Sequence, residues 1–177
     1  MLSKRRYLGI GLRNYLNIYR LLGVHAKSEH HKRHSKTVKT LKVYLVEDSA
    51  VIRASLIATL EELACTKVIA TAEDEASAAQ WLGDPEHDLD LMIVDIMLRT
   101  GSGLGVIKTS RALLRSHKIV VLSNYATPDM RRLCLSLGAD RVFDKSNEIE
   151  ALIAYCNELA TGNPNGGETA DADVPTQ

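Results

Sequence analysis

The feature that most constrains this chain is a regular alternation of short apolar runs and amphipathic stretches from residue 41 onward. The apolar runs are rich in Val, Ile and Leu and end at turn residues, which is typical of buried strands. The stretches between them place apolar residues at helical spacing. Five such pairs follow one another between residues 41 and 160. This alternation predicts an α/β domain in which helices cover both faces of a parallel sheet.

The element boundaries follow from turn and capping residues. Strands are predicted at residues 41–46, 66–71, 89–95, 118–122 and 141–144. Helices are predicted at residues 49–64 and 74–82, from the glycine-containing loop at 101–103 to about residue 114, from 128 to a stop at 138, and at 147–159. Pro128 suits the first turn of its helix, and Gly138 suits the residue after the last turn. Asp48 or Ser49 is expected to cap the first helix.

The two ends of the chain differ from this middle part. The formal net charge is zero, but residues 1–40 contain ten Lys or Arg and one acid, which gives them +9 and residues 41–177 −9. Three explanations of the basic leader stay open: a disordered or partly helical segment, a binding arm, or an over-long reading of the gene with a true start near Val38. Residues 161–177 are polar, acidic and rich in Gly and Pro, which predicts a disordered tail.

Composition excludes several classes of protein. Apolar residues make up 45% and charged residues 25%, as in ordinary globular domains. No apolar run approaches the roughly 18 residues of a membrane span. The three cysteines, Cys65, Cys134 and Cys156, form no C-x-x-C motif and no even-numbered framework. We therefore expect a cytoplasmic protein whose thiols are small core residues.

Polar residues stand at the ends of four predicted strands. Glu47 and Asp48 follow the first strand, Asp95 ends the third, and Ser123 and Lys145 follow the fourth and fifth. Ligands of open α/β sheets bind beyond the carboxyl ends of the strands, so these side chains are expected to meet there. Clustered carboxylates repel one another unless a cation lies among them, and oxygen ligands suit Mg²⁺. Asp95 can then accept a phosphoryl group as a nucleophile, with Lys145 neutralising its charge and Ser123 donating a hydrogen bond.

Six motifs make residues 41 to about 160 resemble the receiver domain of two-component response regulators. They are Val-Glu-Asp-Ser at 46–49, Ile-Val-Asp-Ile-Met-Leu at 93–98, Gly-Ser-Gly-Leu at 101–104, Val-Val-Leu-Ser at 120–123, Gly-Ala-Asp at 138–140 and Phe-Asp-Lys-Ser at 143–146. The resemblance implies a flavodoxin-like doubly wound fold of five parallel strands in the order 2-1-3-4-5. It also implies phosphorelay signal transduction with Asp95 as the phosphoacceptor.

The resemblance further implies a cofactor, partners and residue roles. Mg²⁺ would be held by four groups, namely Glu47, Asp48, Asp95 and the backbone carbonyl of Met97. Ser123 would be the switch hydroxyl, and Lys145 the lysine found throughout the family. The partners would be a sensor histidine kinase or a histidine phosphotransfer protein and a downstream protein. A homodimer through the fourth helix, fifth strand and fifth helix stays open. The chain would be a switch rather than an enzyme, with Mg²⁺-dependent self-phosphorylation and dephosphorylation as its only chemistry.

Several positions depart from the family's pattern. Val142 stands where a switch aromatic usually lies, with Phe143 facing the other side of the strand, and Asn124 stands where a small residue is favoured. Arg99 takes a position where proline is frequent. Met97 and Tyr125 occupy positions that in this family tune the lifetime of the phosphoryl group. These departures favour an atypical switch.

Two other functions remain as alternatives. One is a receiver-fold adaptor that does not switch, for which Val142 and Asn124 are the relevant residues. The other is a nucleic-acid binder that uses residues 1–40, although we do not expect a nucleic-acid partner. Arg131 and Arg132, in the fourth predicted helix, are expected to form a solvated face.

Overall fold

A computed structural model describes residues 38–113 and 116–162 of the chain. Within these ranges the strands form one parallel sheet in the order β2-β1-β3-β4-β5. The strands are β1 Leu41–Val46, β2 Thr66–Ala72, β3 Leu91–Val94, β4 Lys118–Ser123 and β5 Arg141–Asp144. The helices are α1 Ala50–Leu63, α2 Glu75–Gly83, α3 Gly103–Ala112, α4 Pro128–Ser136 and α5 Ile149–Ala160. The predicted α/β fold and strand order are confirmed.

Each face of the sheet has its own apolar core, because successive side chains of a strand point to opposite faces. On one face Tyr44 and Val46 of β1 pack in a cluster with residues of α2, α3 and α4. On the other face Val43 and Leu45 pack in a cluster with residues of α1 and α5. Strand β3 is buried along its whole length. Such a strand has no solvated face, so it reaches solvent only at its ends.

Two elements start two residues later than the sequence predicts, for local reasons. Strand β3 is shorter than predicted, since the carboxylate of Asp90 before it accepts the backbone N–H of Lys42. Helix α5 begins two residues later than predicted. The Glu148 carboxylate before this helix accepts the backbone N–H of Asp144, which holds the preceding turn outside the helix. Both differences place charged side chains in the connections rather than in the elements.

The helix starts were partly predictable. Ser49 caps α1, as one of the two expected residues, by accepting the N–H of Ile52 at 3.4 Å. Pro128 occupies the first turn of α4, and Gly138 follows that helix with a φ of 104°, a backbone angle that favours glycine. Gly103 opens α3 against the backbone of Asp95, and a Cβ there would collide with the Asp95 carbonyl oxygen. This close approach sets α3 directly beside the end of β3.

The cysteine prediction holds for two of the three thiols. Cys134 and Cys156 are buried, and burial raises the pKa of Cys156 to about 12, so its thiol stays protonated. Cys65 is exposed, so the prediction that it is a core residue is wrong. It lies in the turn between α1 and β2, where its backbone N–H donates to the Asn157 side chain and its carbonyl accepts the N–H of Leu41. No helix in the described ranges has the length and apolar character needed to cross a bilayer.

The predictions for the leader and the tail lie almost wholly outside the described residues. Of the leader, residues 38–40 are described, and the Lys39 backbone N–H donates to the carbonyl of Ala160 at 2.9 Å. Of the tail, Thr161 and Gly162 are described and form a turn after α5.

Candidate functional site

The sheet register gathers the polar residues at one edge. Val46 of β1 pairs with Val94 of β3, so Glu47 and Asp95 each stand one residue beyond a paired position. The Asp95 backbone N–H donates to the Val46 carbonyl at 3.0 Å, which fixes this relation. On the other side of β3, Val94 pairs with Val121 of β4. The carboxyl ends of β1, β3 and β4 therefore lie side by side.

Lys145 lies at the centre of the site. It directly follows β5, and its backbone N–H donates to the Ser123 carbonyl at 3.2 Å, which ties it to the end of β4. Its ammonium nitrogen lies 2.5 Å from Glu47 Oε2 and 2.5 Å from Asp95 Oδ2. The three side chains are only 8%, 2% and 10% exposed, respectively. One buried ammonium thus bridges two buried carboxylates. Each of these buried charges has the oppositely charged partner that it requires.

The remaining carboxylate oxygens of these two residues bind backbone donors. Glu47 Oε1 accepts the N–H of Ser49 at 3.2 Å, and Asp95 Oδ1 accepts the N–H of Met97 at 3.2 Å. Both carboxylates are therefore oriented by the loops that follow their own strands. The Met97 side chain itself is exposed.

Asp48 completes a group of oxygen ligands. One carboxylate oxygen from each of Glu47, Asp48 and Asp95 lies within 4.8 Å of the others. An all-oxygen set on an open rim is the ligand chemistry of Mg²⁺, which retains several waters. Glu47 has both oxygens engaged with protein donors, whereas Asp48 is partly exposed. The residues present fit a magnesium ion.

An arginine not assigned to the site by sequence reasoning lies beside it. Arg99 Nε is 3.1 Å from Asp48 Oδ2, while the Arg99 side chain is 78% exposed and that of Asp48 is 15% exposed. The two residues are far apart in sequence, and a long side chain at the rim can reach many positions. The one sequence feature that could have placed Arg99 near the site is its position in the loop after Asp95.

Ser123 ends β4, the strand that lies between β3, which leads to Asp95, and β5, which leads to Lys145. Ser123 is buried, and its Oγ accepts the N–H of Tyr125 at 3.3 Å. The Tyr125 side chain is exposed. Asn124 is exposed as well, and its Oδ1 accepts the hydroxyl of Ser146 at 3.3 Å. This bond holds Asn124 against the turn that carries Lys145.

The Val142 side chain is not available at the surface as a switch. It is buried in the cluster with α2, α3 and α4, whereas Phe143 packs against the opposite cluster. The two residues face opposite sides of β5, as expected. Because the buried valine side chain is apolar, any polar connection between β5 and the loop after β4 must be made by other groups.

Arg131 makes that connection, so the prediction that it is a solvated helix residue is wrong. From α4 its guanidinium donates to the Ala126 carbonyl at 3.0 Å, the Val142 carbonyl at 2.5 Å and the Glu148 carboxylate at 2.6 Å. We call these contacts the Arg131 bridge. Its neighbour Arg132 is exposed, as predicted. Sequence spacing alone cannot separate two adjacent arginines of one helix.

Glu148 is the acceptor of the Arg131 bridge that lies after Lys145 in the sequence. The bond from Arg131 and the backbone N–H of Asp144 together lower the pKa of the Glu148 carboxyl group. The carboxylate is therefore ionised near neutral pH, one turn from Lys145. The Arg131 bridge thus joins the loop after β4 to the turn after β5.

An open, largely apolar groove borders the site. It has a volume of about 420 Å³ and runs between α1 and the turns that carry Asn124 and Lys145. Val51 and Ile149 are among its lining residues, and the Val51 side chain is 81% exposed.

Comparisons with known proteins converge on one family. The sequence profile of the response regulator receiver domain matches residues 43–157. A probable transcriptional regulatory protein of Picosynechococcus is 33% identical over 123 residues, which cover 67% of this chain and 48% of that protein. A response regulator of Burkholderia pseudomallei, solved with a phosphorylated aspartic acid, a calcium ion and citrate, is 25% identical with a TM-score of 0.57. That match covers 68% of this chain and 69% of the solved one.

A further solved structure agrees on the fold. The signal receiver domain of the putative response regulator NarL from Mycobacterium tuberculosis superposes with a TM-score of 0.62 at 18% identity. That match covers 70% of this chain and 98% of the solved one. The chain spans about half the length, or less, of the curated relatives that it matches.

Proposed function

The chain belongs to the response regulator receiver family of two-component systems, and from that premise we propose that Asp95 is its phosphoacceptor. The observation that carries the proposal is the buried position of Asp95 beyond β3, where Lys145 Nζ lies 2.5 Å from its carboxylate. A buried carboxylate beside a fixed ammonium is placed to receive an anionic group. The phosphorylated aspartic acid of the B. pseudomallei relative supports the same chemistry.

In the proposed reaction an Asp95 carboxylate oxygen attacks the phosphorus of a phosphohistidine. The new oxygen–phosphorus bond forms as the phosphorus–nitrogen bond breaks, and the nitrogen keeps the electron pair of that bond. Lys145 balances the charge of the acyl phosphate. Ser123 Oγ accepts the Tyr125 N–H, so its own hydrogen is available for donation to a phosphoryl oxygen. Position and charge neutralisation supply most of the catalysis in such transfers.

Magnesium is the proposed cofactor, held by Glu47, Asp48, Asp95 and the backbone carbonyl of Met97. The close approach of the three carboxylates supports this ligand set. When bound, the ion supplies positive charge to the oxygens of the transferred group. Because Glu47 already binds Lys145 and the Ser49 amide, we propose that it reaches the ion through water and that Asp48 binds directly.

We propose that the phosphodonor is a histidine kinase or a phosphotransfer protein that docks on the groove beside α1. The groove opens next to Lys145, and Val51 offers it an exposed apolar contact. Output is proposed to pass by protein contact through α4, β5 and α5, the elements that the Arg131 bridge connects. A homodimer through that face is part of the same proposal. Asn124, Tyr125 and Val142 are proposed to adjust access and switching.

We propose residues 41–160 as the receiver domain, with residues 1–40 as a leader and 161–177 as a tail. The elements from Leu41 to Ala160 and the family match at residues 43–157 support these bounds.

The test is intact mass after incubation with acetyl phosphate and Mg²⁺. We expect a gain of one phosphoryl group, lost in Asp95→Asn and in the presence of a chelator. The matched control is Asp88→Asn, since Asp88 is an exposed carboxylate before β3, and it should label like the wild type. Failure of the folded wild type to label would refute the acceptor role and favour the non-switching adaptor.

A further inference from the structure

Arg99 occupies one oxygen of the carboxylate that the proposed Mg²⁺ ion needs. Its Nε lies 3.1 Å from Asp48 Oδ2. We propose that Arg99 is a positioning residue that competes with Mg²⁺ for Asp48, and that it thereby sets the Mg²⁺ concentration at which the site fills. The inference rests on the proposed function, because it concerns the same ligand.

Asp48 is the ligand at which such competition is possible. Glu47 and Asp95 are held by Lys145, a buried side chain that also balances their charge. Asp48 is held instead by a side chain that is 78% exposed and can return to solvent when another cation takes its place. A guanidinium and a magnesium ion both draw on the negative charge of the Asp48 carboxylate, so each weakens the binding of the other.

The displaced guanidinium has other carboxylates nearby. Asp48, Glu73, Asp74 and Thr100 line a small pocket with Arg99, of about 160 Å³. Because Glu73 and Asp74 also line this pocket, the arginine still has acidic neighbours when it leaves Asp48. Displacement is therefore inexpensive, and the competition changes the metal affinity without abolishing binding.

The size of the effect follows from the exposure of the Arg99 side chain, which leaves the pair open to water and salt. Ion pairs between exposed side chains contribute up to about 1 kcal/mol, and a tenfold change in affinity corresponds to about 1.4 kcal/mol. We therefore expect Arg99→Gln to tighten Mg²⁺ binding by about two- to fivefold. Added salt screens the pair and should reduce this ratio.

The experiment is a titration of the full chain with MgCl₂, followed by NMR at constant ionic strength. The amides of Ser49 and Met97 are the reporters, since they donate to the carboxylates of Glu47 and Asp95. Arg132→Gln is the matched control, because it removes the same charge from an exposed arginine that pairs with Asp129 on α4. It should bind Mg²⁺ like the wild type.

A second measurement follows the Arg99 side chain directly. In the wild type the Arg99 Nε–Hε resonance, assigned by its loss in Arg99→Gln, should shift on addition of Mg²⁺ as the contact with Asp48 is broken. Equal Mg²⁺ affinity of Arg99→Gln and wild type would overturn the inference alone. An equal gain in Arg132→Gln would also overturn it, since net charge would then be the cause. Absence of binding in every variant would overturn both the inference and the magnesium site, while labelling of Asp95 tests the acceptor separately.

Discussion

Replacing Lys145 by methionine tests whether one ammonium holds the site together. The side chains are similar in length, so the change removes the charge while keeping most of the volume. Glu47 and Asp95 then remain buried, with carboxylate oxygens within 4.8 Å of each other and no shared cation. At an effective dielectric constant of 20, two like charges at this separation repel by about 3 kcal/mol. Breaking a buried ion pair by removing one partner costs a similar 3–5 kcal/mol.

We therefore expect Lys145→Met to lower the free energy of unfolding by about 3 kcal/mol. Stabilities of natural domains are about 5–15 kcal/mol, so the variant should still fold. The assay is urea unfolding followed by far-UV circular dichroism, with linear extrapolation to water. Because a divalent cation can replace the missing charge, MgCl₂ should stabilise the variant more than the wild type.

The control for this prediction is Lys67→Met, which removes a lysine paired with Glu61 on the surface. Exposed pairs contribute little, so its stability should stay close to that of the wild type. A loss below about 1 kcal/mol in Lys145→Met would refute the reasoning, because two buried carboxylates would then not need the ammonium.

Three other predictions concern acid sensitivity, packing and docking. Burial opposes ionisation of Asp140, but the Lys118 ammonium, the Ile119 amide and the Arg111 guanidinium outweigh it and hold its pKa below the ordinary 3.8. The stability that this carboxylate adds is present above pH 4 and is lost as the pH falls through the lowered pKa. In urea unfolding, Asp140→Asn should therefore lower the free energy of unfolding by about 1.5–3 kcal/mol near pH 7 and by less at pH 3. An equal loss at both pH values would contradict this. Gly103→Ala should lose about 1–3 kcal/mol despite the better helix propensity of alanine, because its Cβ would meet the Asp95 backbone. The control is Gly105→Ala, for which the nearest atoms to the new Cβ belong to the flexible end of the Glu75 side chain, and equal thermal stability of the two variants would contradict the prediction. Val51→Asp should slow phosphoryl transfer about tenfold, equivalent to about 1.4 kcal/mol, when the donor is a histidine kinase that phosphorylates the wild type. Labelling by acetyl phosphate should stay intact, and equal slowing of both reactions would contradict the docking surface.

Much of the fold was predictable because backbone pattern determines it. Continuous apolar runs ending at polar residues located the strands, and the ends of parallel strands meet at one edge of the sheet. Asp95 and Lys145 could therefore be placed near each other although 50 residues separate them. Their positions depend on strand register, which local sequence encodes.

The contacts of the long cationic side chains could not be predicted in the same way. Arg99 and Arg131 reach their partners through long, flexible side chains, and neither spacing nor periodicity specifies such a contact. The late start of α5 has the same origin, since the Glu148 carboxylate bonds to the turn before the helix. These contacts depend on which partners lie within reach after folding.

The Arg131 bridge has a consequence for how the sequence can vary. Two of its three acceptors are the backbone carbonyls of Ala126 and Val142, and every residue type supplies a carbonyl. Side chains at 126 and 142 can therefore be exchanged without removing an acceptor, while the guanidinium donor comes from Arg131 alone. The connection therefore depends on only two side chains, Arg131 and Glu148, and its other two ends are backbone. Related chains that keep this arginine can retain the connection with any apolar residue that fits the core in the place of the family's aromatic.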